Sequence, residues 1–359
     1  MDKIKLDIYG ASHSEKIGMK LKGLPSGLQV NYDKINSMLS RRKASISSFS
    51  TTRIEPDKPI FVKGIKNQKV KGEVVCEIEN TNFRKGDYNE LKYTPRPSHA
   101  DYSAFIKYNG KLDMSGGGPF SGRLTSMYCI AGAMANEILE SRGIKVKSYI
   151  SQIGKVKGVS YKEISPLDDR LFTQSTKNFE LLDETIYPQM EEEILSASKK
   201  GDSVGGVIET VISGNLAGLG GNFFECLEGA IASNVFAVPA VKGIEFGAGF
   251  SFVEKFGSQA NDQFYYDDNG QVKTKTNNNG GINGGIANGM PICFSTVIKP
   301  TPSIALEQKT VNLQTKENTT IKIKGRHDSC IVPRAVVVVE AVTILAIADI
   351  ILKEKLWKK

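Results

Sequence analysis

Three histidines are the side chains of this sequence best suited to proton transfer, because the ordinary titration of histidine falls between pH 5 and 8. His13 lies in YGASHSEKIG, His99 in TPRPSHADYS and His327 in GRHDSC. Each is surrounded by Gly, Pro, Ser, Arg or Asp, which indicates loops, and loops on a rigid scaffold often carry function. A single histidine of this kind is more often structural than catalytic. Three in such settings favour a site.

Arginine is used sparingly and in similar loops. The sequence has ten arginines against 37 lysines. The planar guanidinium can bind a carboxylate or phosphate through two hydrogen bonds. Arg96 shares a turn with His99, and Arg326 precedes His327. Structural ion pairs are an equally open interpretation, but these two neighbourhoods favour an anion site. Seven arginines lie in or beside such loops: Arg41, Arg42, Arg53, Arg96, Arg123, Arg326 and Arg334.

Two further loops have residue types that suit an anion. Ser121-Gly122-Arg123 follows the glycines of GGGPF and begins a predicted helix, whose first N–H groups attract negative charge. KPTPS at 299–303 combines a cation, two prolines and two hydroxyls. Each pattern alone is weak, because many helices begin in this way and prolines also make ordinary rigid turns.

The composition is that of a globular protein with anionic partners. The 359 residues are 40% hydrophobic and 24% charged, and the net charge is +8. Nucleic acid, anionic lipid and a phosphorylated metabolite would all suit this charge. Nucleic-acid binding is the main non-enzymatic alternative, but the basic residues do not cluster with aromatics and are diluted by 39 acids. The glycine clusters match neither a P-loop nor a dinucleotide-binding fingerprint.

The cysteines and the N-terminal residues predict a cytoplasmic protein. The five cysteines are widely spaced and form no CxxC pair, which argues against a disulfide framework and a structural zinc site. The histidines are far apart in sequence, so we predict no metal centre. MDKIKLDIYG at 1–10 is not an apolar signal segment.

Hydrophobic periodicity predicts a mixed chain, α/β or α+β, without the regular alternation of a doubly wound fold. The run 335–352 contains Glu340 and Asp349, so a buried core helix is favoured over a membrane span. The polar stretch 261–281 is either an ordinary surface loop or a mobile lid. Predicted strands are 3–9, 70–78, 145–158, 203–214, 291–298 and 319–324. Predicted helices are about 31–42, 121–141, 184–199, 223–236 and 334–353.

Taken in order, these loops resemble the conserved segments of chorismate synthase. The resemblance spans nearly the whole chain. It rests on GASHSEKIGMKLKGLPSGL at 10–28, SRRKASISSFSTTRIEPD at 40–57, RPSHADY at 96–102, GGPFSGRLT at 117–125, GDSVGG at 201–206, AVKGIEFG at 240–247, GGINGGIANG at 280–289, KPT at 299–301 and GRHDSCIVPRA at 325–335.

The resemblance implies a single-domain β-α-β sandwich over residues 1–359, usually in a homotetramer. It also implies the closing step of the shikimate pathway to aromatic amino acids, in which 5-enolpyruvylshikimate 3-phosphate loses phosphate and a ring proton. The implied cofactor is reduced FMN, with NADPH involved if the flavin is reduced on the enzyme. The substrate carries two carboxylates and a phosphate, which accounts for the arginines. Neither a nucleic-acid nor a membrane partner is implied.

The resemblance also assigns roles to individual residues. His13 matches a histidine that protonates the reduced flavin, His99 one that protonates the departing phosphate, and Asp328 a carboxylate that helps the flavin N5 take the ring proton. His327 is expected to orient its loop. Matches to substrate-binding positions are Ser12, Arg42, Arg96, Ser121, Arg123 and Arg326. Matches to flavin-binding positions are Gly284, Lys299, Pro300, Thr301, Pro302, Ser303 and Arg326.

The sequence departs from the family pattern at several positions, although the proposed acids and bases are all present. Ala11 stands where Glu is usual, and Ser14 and Ser98 stand where Gly is usual. A second class stays open, a non-catalytic phosphate- or nucleotide-binding protein of the same descent, although the presence of His13, His99 and Asp328 speaks against it. The remaining departures are Ser48 for a second guanidinium, Pro119 and Phe120 for a polar pair, and Pro239 for Asn.

Overall fold

The computed structural model describes residues 3–43, 56–80, 93–173, 179–323 and 328–354. The strands are β1 Lys5–Tyr9, β2 Lys16–Lys22, β3 Ile60–Lys66, β4 Lys69–Glu79, β5 Lys145–Ile153, β6 Val156–Lys157, β7 Gly206–Ser213, β8 Val241–Phe246, β9 Phe264–Tyr266, β10 Val272–Thr274, β11 Ile282–Asn283, β12 Ile286–Ala287, β13 Ile292–Ile298, β14 Gln308–Asn312 and β15 Glu317–Ile321. The α-helices are α1 Tyr32–Arg42, α2 Asp101–Lys107, α3 Ser126–Glu140, α4 Tyr187–Lys199, α5 Leu227–Phe236, α6 Gly257–Ala260 and α7 Val332–Lys353. Short 3₁₀ helices span Ser115–Phe120, Gly122–Thr125, Asp169–Leu171, Glu184–Ile186, Phe223–Glu225 and Gly249–Glu254.

The first sheet is antiparallel, with strand order β1-β2-β4-β3. In β2, the apolar residues of KIGMKLK alternate with lysine and glycine, so Ile17, Met19 and Leu21 point to one face. All three are fully buried, whereas the lysines on the other face are exposed. The sheet therefore has one face in the core and one in solvent.

The second sheet is also antiparallel and has the order β6-β5-β7-β13-β8. One face packs against helices. On the other face, Tyr149, Tyr161, Val211 and Cys293 form a smaller cluster. There the Glu209 carboxylate accepts hydrogen bonds from the Tyr149 and Ser160 hydroxyls, at 2.7 and 2.6 Å, so the buried acid is hydrogen-bonded.

Helices α1, α3, α5 and α7 form the layer between the two sheets. α7 packs on α1, α3 and α5 and on strands β5 and β7, while α3 reaches β2. The apolar run of α7 has a mean hydropathy of 2.6 and is 94% buried within the protein, so the predicted core helix is confirmed. Pro333 lies in its first turn, where a missing N–H costs nothing, and Lys353 in its last turn pairs with Asp349 at 2.7 Å.

The predicted strands and helices are all present, with ends that differ by a few residues. β2, β3, β8, α2, α6 and the short hairpins are not among the predicted elements. The polar stretch 261–281 contains the β9–β10 hairpin and a turn fixed by Asp262, whose carboxylate accepts from the Thr276 hydroxyl and the backbone N–H groups of Asn278 and Asn279. An ordered surface hairpin is therefore the better description of this stretch.

Candidate active site

A cleft of about 1240 Å³ lies where several loops of the sandwich meet. The loops are those between β1 and β2, before α2, before α3, after β13 and before α7. Eleven predicted site residues line it: Ser12, Arg42, Arg96, His99, Ser121, Arg123, Lys299, Thr301, Pro302, Ser303 and Asp328. His13, Gly284 and Pro300 are not among its lining residues, and Arg326 and His327 lie outside the described residues.

The cleft is strongly positive. Its lining carries two carboxylates, Asp57 and Asp328. Its cations are Arg42, Lys43, Arg96, Arg123, Lys242, Lys299 and Arg334. This excess of positive charge suits a ligand with several negative charges.

His99 is held by a buried carboxylate on its own loop. The His99 Nδ1 lies 2.7 Å from Oδ1 of Asp101, which is 7% exposed. Arg96 donates to the same carboxylate from Nε at 2.7 Å, from Nη2 at 2.8 Å and from its backbone N–H at 3.0 Å. Burial alone would raise the pKa of the Asp101 carboxyl, but hydrogen bonds from Arg96 and His99 hold it well below its usual value. Asp101 was missed by the sequence analysis, although its spacing of two residues from His99 was a usable signal.

A pair of glycines lies against His13 and His99. A Cβ on Gly116 would be 2.4 Å from His13 Nε2, and a Cβ on Gly117 would be 3.6 Å from His99 Nε2. Both glycines have positive φ, 61° and 110°, which glycine adopts without strain. The His13 ring therefore adjoins the cleft through Gly116, which lines it.

Arg123 is fixed at two of its nitrogens, and its third is buried. Its Nη1 pairs with Asp57, and its Nε donates to Asn80 Oδ1 at 3.1 Å. Nη2 is buried and makes no hydrogen bond in the described part of the chain. Asn80 in turn donates to the backbone oxygen of Ser14 at 2.7 Å, next to His13. Asp57 and Asn80 were missed because nothing in their local sequence marks them.

The Arg42 guanidinium forms hydrogen bonds with other groups of the protein. Its Nε donates to Thr125 Oγ1 at 3.0 Å, Nη1 pairs with Asp57 at 3.1 Å, and Nη2 donates to the backbone oxygens of Gly122 and Arg123. Burial and then the neighbouring Arg334 lower the pKa of Arg42 to about 10. Arg42 thus holds the turn that presents Arg123, and its predicted direct contact with substrate stays a prediction.

Asp328 faces the cleft at the start of α7. Its Oδ2 pairs with Arg334 Nη1 at 2.8 Å, and the Asp328 side chain is 15% exposed. Arg334 Nε also donates to the backbone oxygen of Arg42 at 3.4 Å. The ion pair links the predicted proton acceptor to the same cationic wall as Arg42.

The 299–303 loop supplies polar groups suited to a flavin. Lys299 Nζ donates to the Ser98 oxygen at 2.5 Å, and burial followed by Lys242 lowers the pKa of Lys299. The Thr301 hydroxyl is buried and makes no hydrogen bond within the described ranges. An unsatisfied buried hydroxyl in a cationic cleft fits a polar, anionic cofactor. Gly284 lies elsewhere, in the turn of the β11–β12 hairpin.

Comparison with known proteins agrees with this geometry. A family model described as chorismate synthase matches residues 4–352. The chorismate synthase of Thermococcus kodakarensis is 44% identical over 356 residues, covering 99% of this chain and 98% of its own length. That of Methanocaldococcus jannaschii is 40% identical over 365 residues, covering 98% and 95%.

The fold has a solved counterpart. A crystal structure of chorismate synthase superimposes with a TM-score of 0.74 at 24% identity, covering 98% of this chain and 92% of that one. This confirms the predicted fold type. Together with the full-length sequence matches, it shows that the chain belongs to the chorismate synthase family.

Proposed function

We propose that this chain is a chorismate synthase that eliminates phosphate and a ring proton from 5-enolpyruvylshikimate 3-phosphate to give chorismate. The observation that carries the proposal is the cleft, which a carboxylate-bound histidine and Asp328 line together with seven cations. A substrate with two carboxylates and a phosphate matches that charge. Membership of the family supports the same reaction.

Substrate binding is assigned to the fixed cations of the cleft. Arg123 offers its Nη2, which makes no hydrogen bond to any described residue, on a guanidinium that Asp57 and Asn80 already hold in place. Such preorganisation lowers the entropy lost when an anion binds. Ser12 and Ser121 add hydroxyls to the same lining. Arg96 lies beside His99, so the phosphate would meet a cation and a proton donor together.

The proton steps are assigned to three side chains. As the carbon–oxygen bond to phosphate breaks, His99 Nε2 donates a proton to the departing oxygen, which neutralises its developing charge. The ring carbon loses its proton in the same overall elimination, and the Asp328 carboxylate assists that transfer. His13 holds a proton next to Gly116 for the cofactor. The products are chorismate and phosphate, with no net redox change.

The family implies a reduced flavin, and we propose that it is FMN. When bound, it would supply an electron-rich ring that promotes loss of phosphate and a site that receives the ring proton. Lys299, Thr301 and Ser303 would hold it, because they present a cation and two hydroxyls to the cleft. NADPH would take part if the enzyme reduces its own flavin.

We further propose one domain, a homotetramer and a cytoplasmic location. One core cluster joins residues from β2 through α7, which supports a single domain. Phe223, Phe224, Phe250 and Phe256 are each more than three-quarters exposed, which supports self-association. All five cysteines are free, as a reducing compartment requires. Sedimentation analysis would give the number of subunits directly.

The test is anaerobic phosphate release with photoreduced FMN and substrate. We expect turnover with reduced FMN and none with oxidised FMN. Substrate binding without phosphate release from the folded protein would favour the non-catalytic alternative. Tight sequence-dependent binding of duplex DNA would instead revive a nucleic-acid function.

Substitution of Arg123 tests the assignment of the anion site. Arg123→Ala should raise KM about ten- to a hundredfold, because a charge-assisted hydrogen bond contributes roughly 1.5–3 kcal/mol. Lys316→Ala, in the turn between β14 and β15, is the control and should leave KM unchanged. Equal effects of the two changes would indicate diffuse attraction in place of a defined site.

A further inference from the structure

The contact between Asp101 and His99 goes beyond what anchoring of Arg96 requires. Two oxygens of Asp101 accept three donors from Arg96, at 2.7, 2.8 and 3.0 Å. His99 Nδ1 then approaches Oδ1 at 2.7 Å. An ionised carboxylate can only accept hydrogen bonds, so the nitrogen that faces it must carry a hydrogen. Arg96 Nη2 also lies 3.1 Å from Nδ1, but the carboxylate oxygen is closer, so we infer that the neutral His99 ring carries its proton on Nδ1.

This arrangement leaves His99 Nε2 for the cleft. Nε2 lies on the side of Gly117 and Ser121, because a Cβ on Gly117 would be 3.6 Å from both Nε2 and the Ser121 Cβ. When Nε2 is protonated as well, the ring becomes a cation next to Arg96, whose Nη2 is 3.1 Å from Nδ1. Two adjacent cations repel each other, and a negative charge close to both offsets that repulsion. Asp101 provides that charge.

Resting on the proposed function, in which His99 donates the proton, we propose that Asp101 is a positioning residue for that step. It fixes the ring so that Nε2 points at the leaving group, and it stabilises the charged form that donates. The carboxylate of a Ser-His-Asp triad acts on its histidine by the same physical logic. Arg96 keeps the carboxylate ionised and itself lines the cleft.

A pH profile of His99 has to take account of the charged groups that the described part of the chain places around it. Arg96 and Asp101 lie on its own loop. Lys299 reaches the neighbouring residue from the 299–303 loop, and His13 lies against the adjacent glycine. Arg123 comes from the turn before α3. Of these groups, Asp101 is the one whose negative charge favours the doubly protonated ring.

The test compares Asp101→Asn with Asp262→Asn in the full-length enzyme loaded with reduced FMN. Asp262 is a matched control, because its carboxylate also accepts four hydrogen bonds but does not line the cleft. Asp101→Asn should lower kcat about 10²-fold or more. It should also move the basic limb of the kcat profile to lower pH, because the donating form of His99 loses its counter-charge. Asp262→Asn should move neither quantity.

The double variant separates positioning from a merely structural role. In a His99→Ala background, Asp101→Asn should cause no further loss of kcat, because both changes remove the same step. A further loss as large as in the wild-type background would overturn the proposal. So would an effect of Asp101→Asn confined to KM, which would mean that Asp101 acts only through Arg96.

Nitrogen NMR of the three histidines gives a readout that needs no turnover. The neutral ring of His99 should carry its proton on Nδ1 in the wild type and should lose that preference in Asp101→Asn. A wild-type ring with the proton on Nε2 would overturn the positioning role whatever the activity. The expected ring form together with absent phosphate release would instead contradict the proposed function.

Discussion

Gly116 and Gly117 allow the His13 and His99 rings to approach the same stretch of backbone. A side chain on Gly116 would overlap His13 Nε2 and approach Ser12 Oγ to 3.0 Å. The φ of 61° at Gly116 adds a conformational reason for glycine. The arrangement of the two histidines therefore requires residues without a side chain at positions 116 and 117.

Gly116→Ala should lower kcat by about 10- to 10²-fold, because a shift of roughly 1 Å in a catalytic group can have that effect. Single-turnover phosphate release measures the loss. Gly257→Ala is the control, since a Cβ there meets no atom within 4 Å, its φ is not positive and Gly257 does not line the cleft. Normal turnover of Gly116→Ala would show that the position of the His13 ring is not critical.

Ser98 occupies a conformation that suits glycine. Its φ is 59°, and its backbone oxygen accepts from Lys299 Nζ. A non-glycine residue in this left-handed region costs roughly 1–2 kcal/mol, part of which glycine gives back through the greater freedom of its unfolded chain. Ser98→Gly should therefore raise the free energy of unfolding by about 0.5–1 kcal/mol in urea titrations. A fall of that size would mean that the Ser98 side chain makes a compensating contact.

At the scale of the secondary-structure elements, α3 and α7 approach each other closely at Gly132. A Cβ at this position would lie 2.7 Å from the Ala341 Cβ and 2.8 Å from the Ala341 backbone oxygen. The small residues of α3 therefore let the two helices pack nearly backbone to backbone.

Gly132→Ala should reverse the usual effect of alanine in a helix. Alanine normally stabilises a helix interior by up to about 1 kcal/mol over glycine. Here overlap with α7 should lower the free energy of unfolding by about 1–3 kcal/mol. Chemical denaturation gives the value, and Gly257→Ala in α6, with nothing within 4 Å, should be neutral or stabilising. Stabilisation by Gly132→Ala would contradict the close packing.

Most strands and helices were predictable because the hydrophobic periodicity of each one is visible within a short stretch of sequence. β2 was missed although Ile17, Met19 and Leu21 alternate, since lysines and a glycine obscure the apolar signal. The histidines and most arginines of the site were visible from their local motifs. Asp57 was not, because it joins Arg42 and Arg123 across 15 and 66 residues. Contacts between residues so far apart in sequence form only when the chain folds, so no local sequence pattern marks them.

Across the whole molecule, one buried ion pair joins three elements. Arg41 of α1 donates to Glu340 of α7 from Nη1 at 2.6 Å and from Nη2 at 2.9 Å. The backbone N–H of Ser148 in β5 donates to the same carboxylate at 3.2 Å. The Glu340 carboxylate thus links α1 and α7 to β5 of the second sheet.

Glu340→Ala should lower the free energy of unfolding by about 3–5 kcal/mol, because it leaves the Arg41 guanidinium buried and unpaired. Replacing both partners, Arg41→Leu with Glu340→Leu, should cost much less, since no isolated charge remains. Urea titrations of both variants make the comparison. A double variant less stable than Glu340→Ala would mean that the pair itself, beyond charge balance, holds the layers together.

The position of α7 has a consequence for biosynthesis. Asp349 near its end accepts hydrogen bonds from the backbone N–H groups of Lys3 and Ile4, 346 and 345 residues away. The ribosome completes β13, the last strand of the second sheet, before it makes α7, which packs on β5 and β7 of that sheet. At about 5–20 residues per second, roughly 3–11 s separate Ile298 from Lys353. During that interval the face of the second sheet that α7 covers is still open, and a chaperone that shields it would act before α7 emerges.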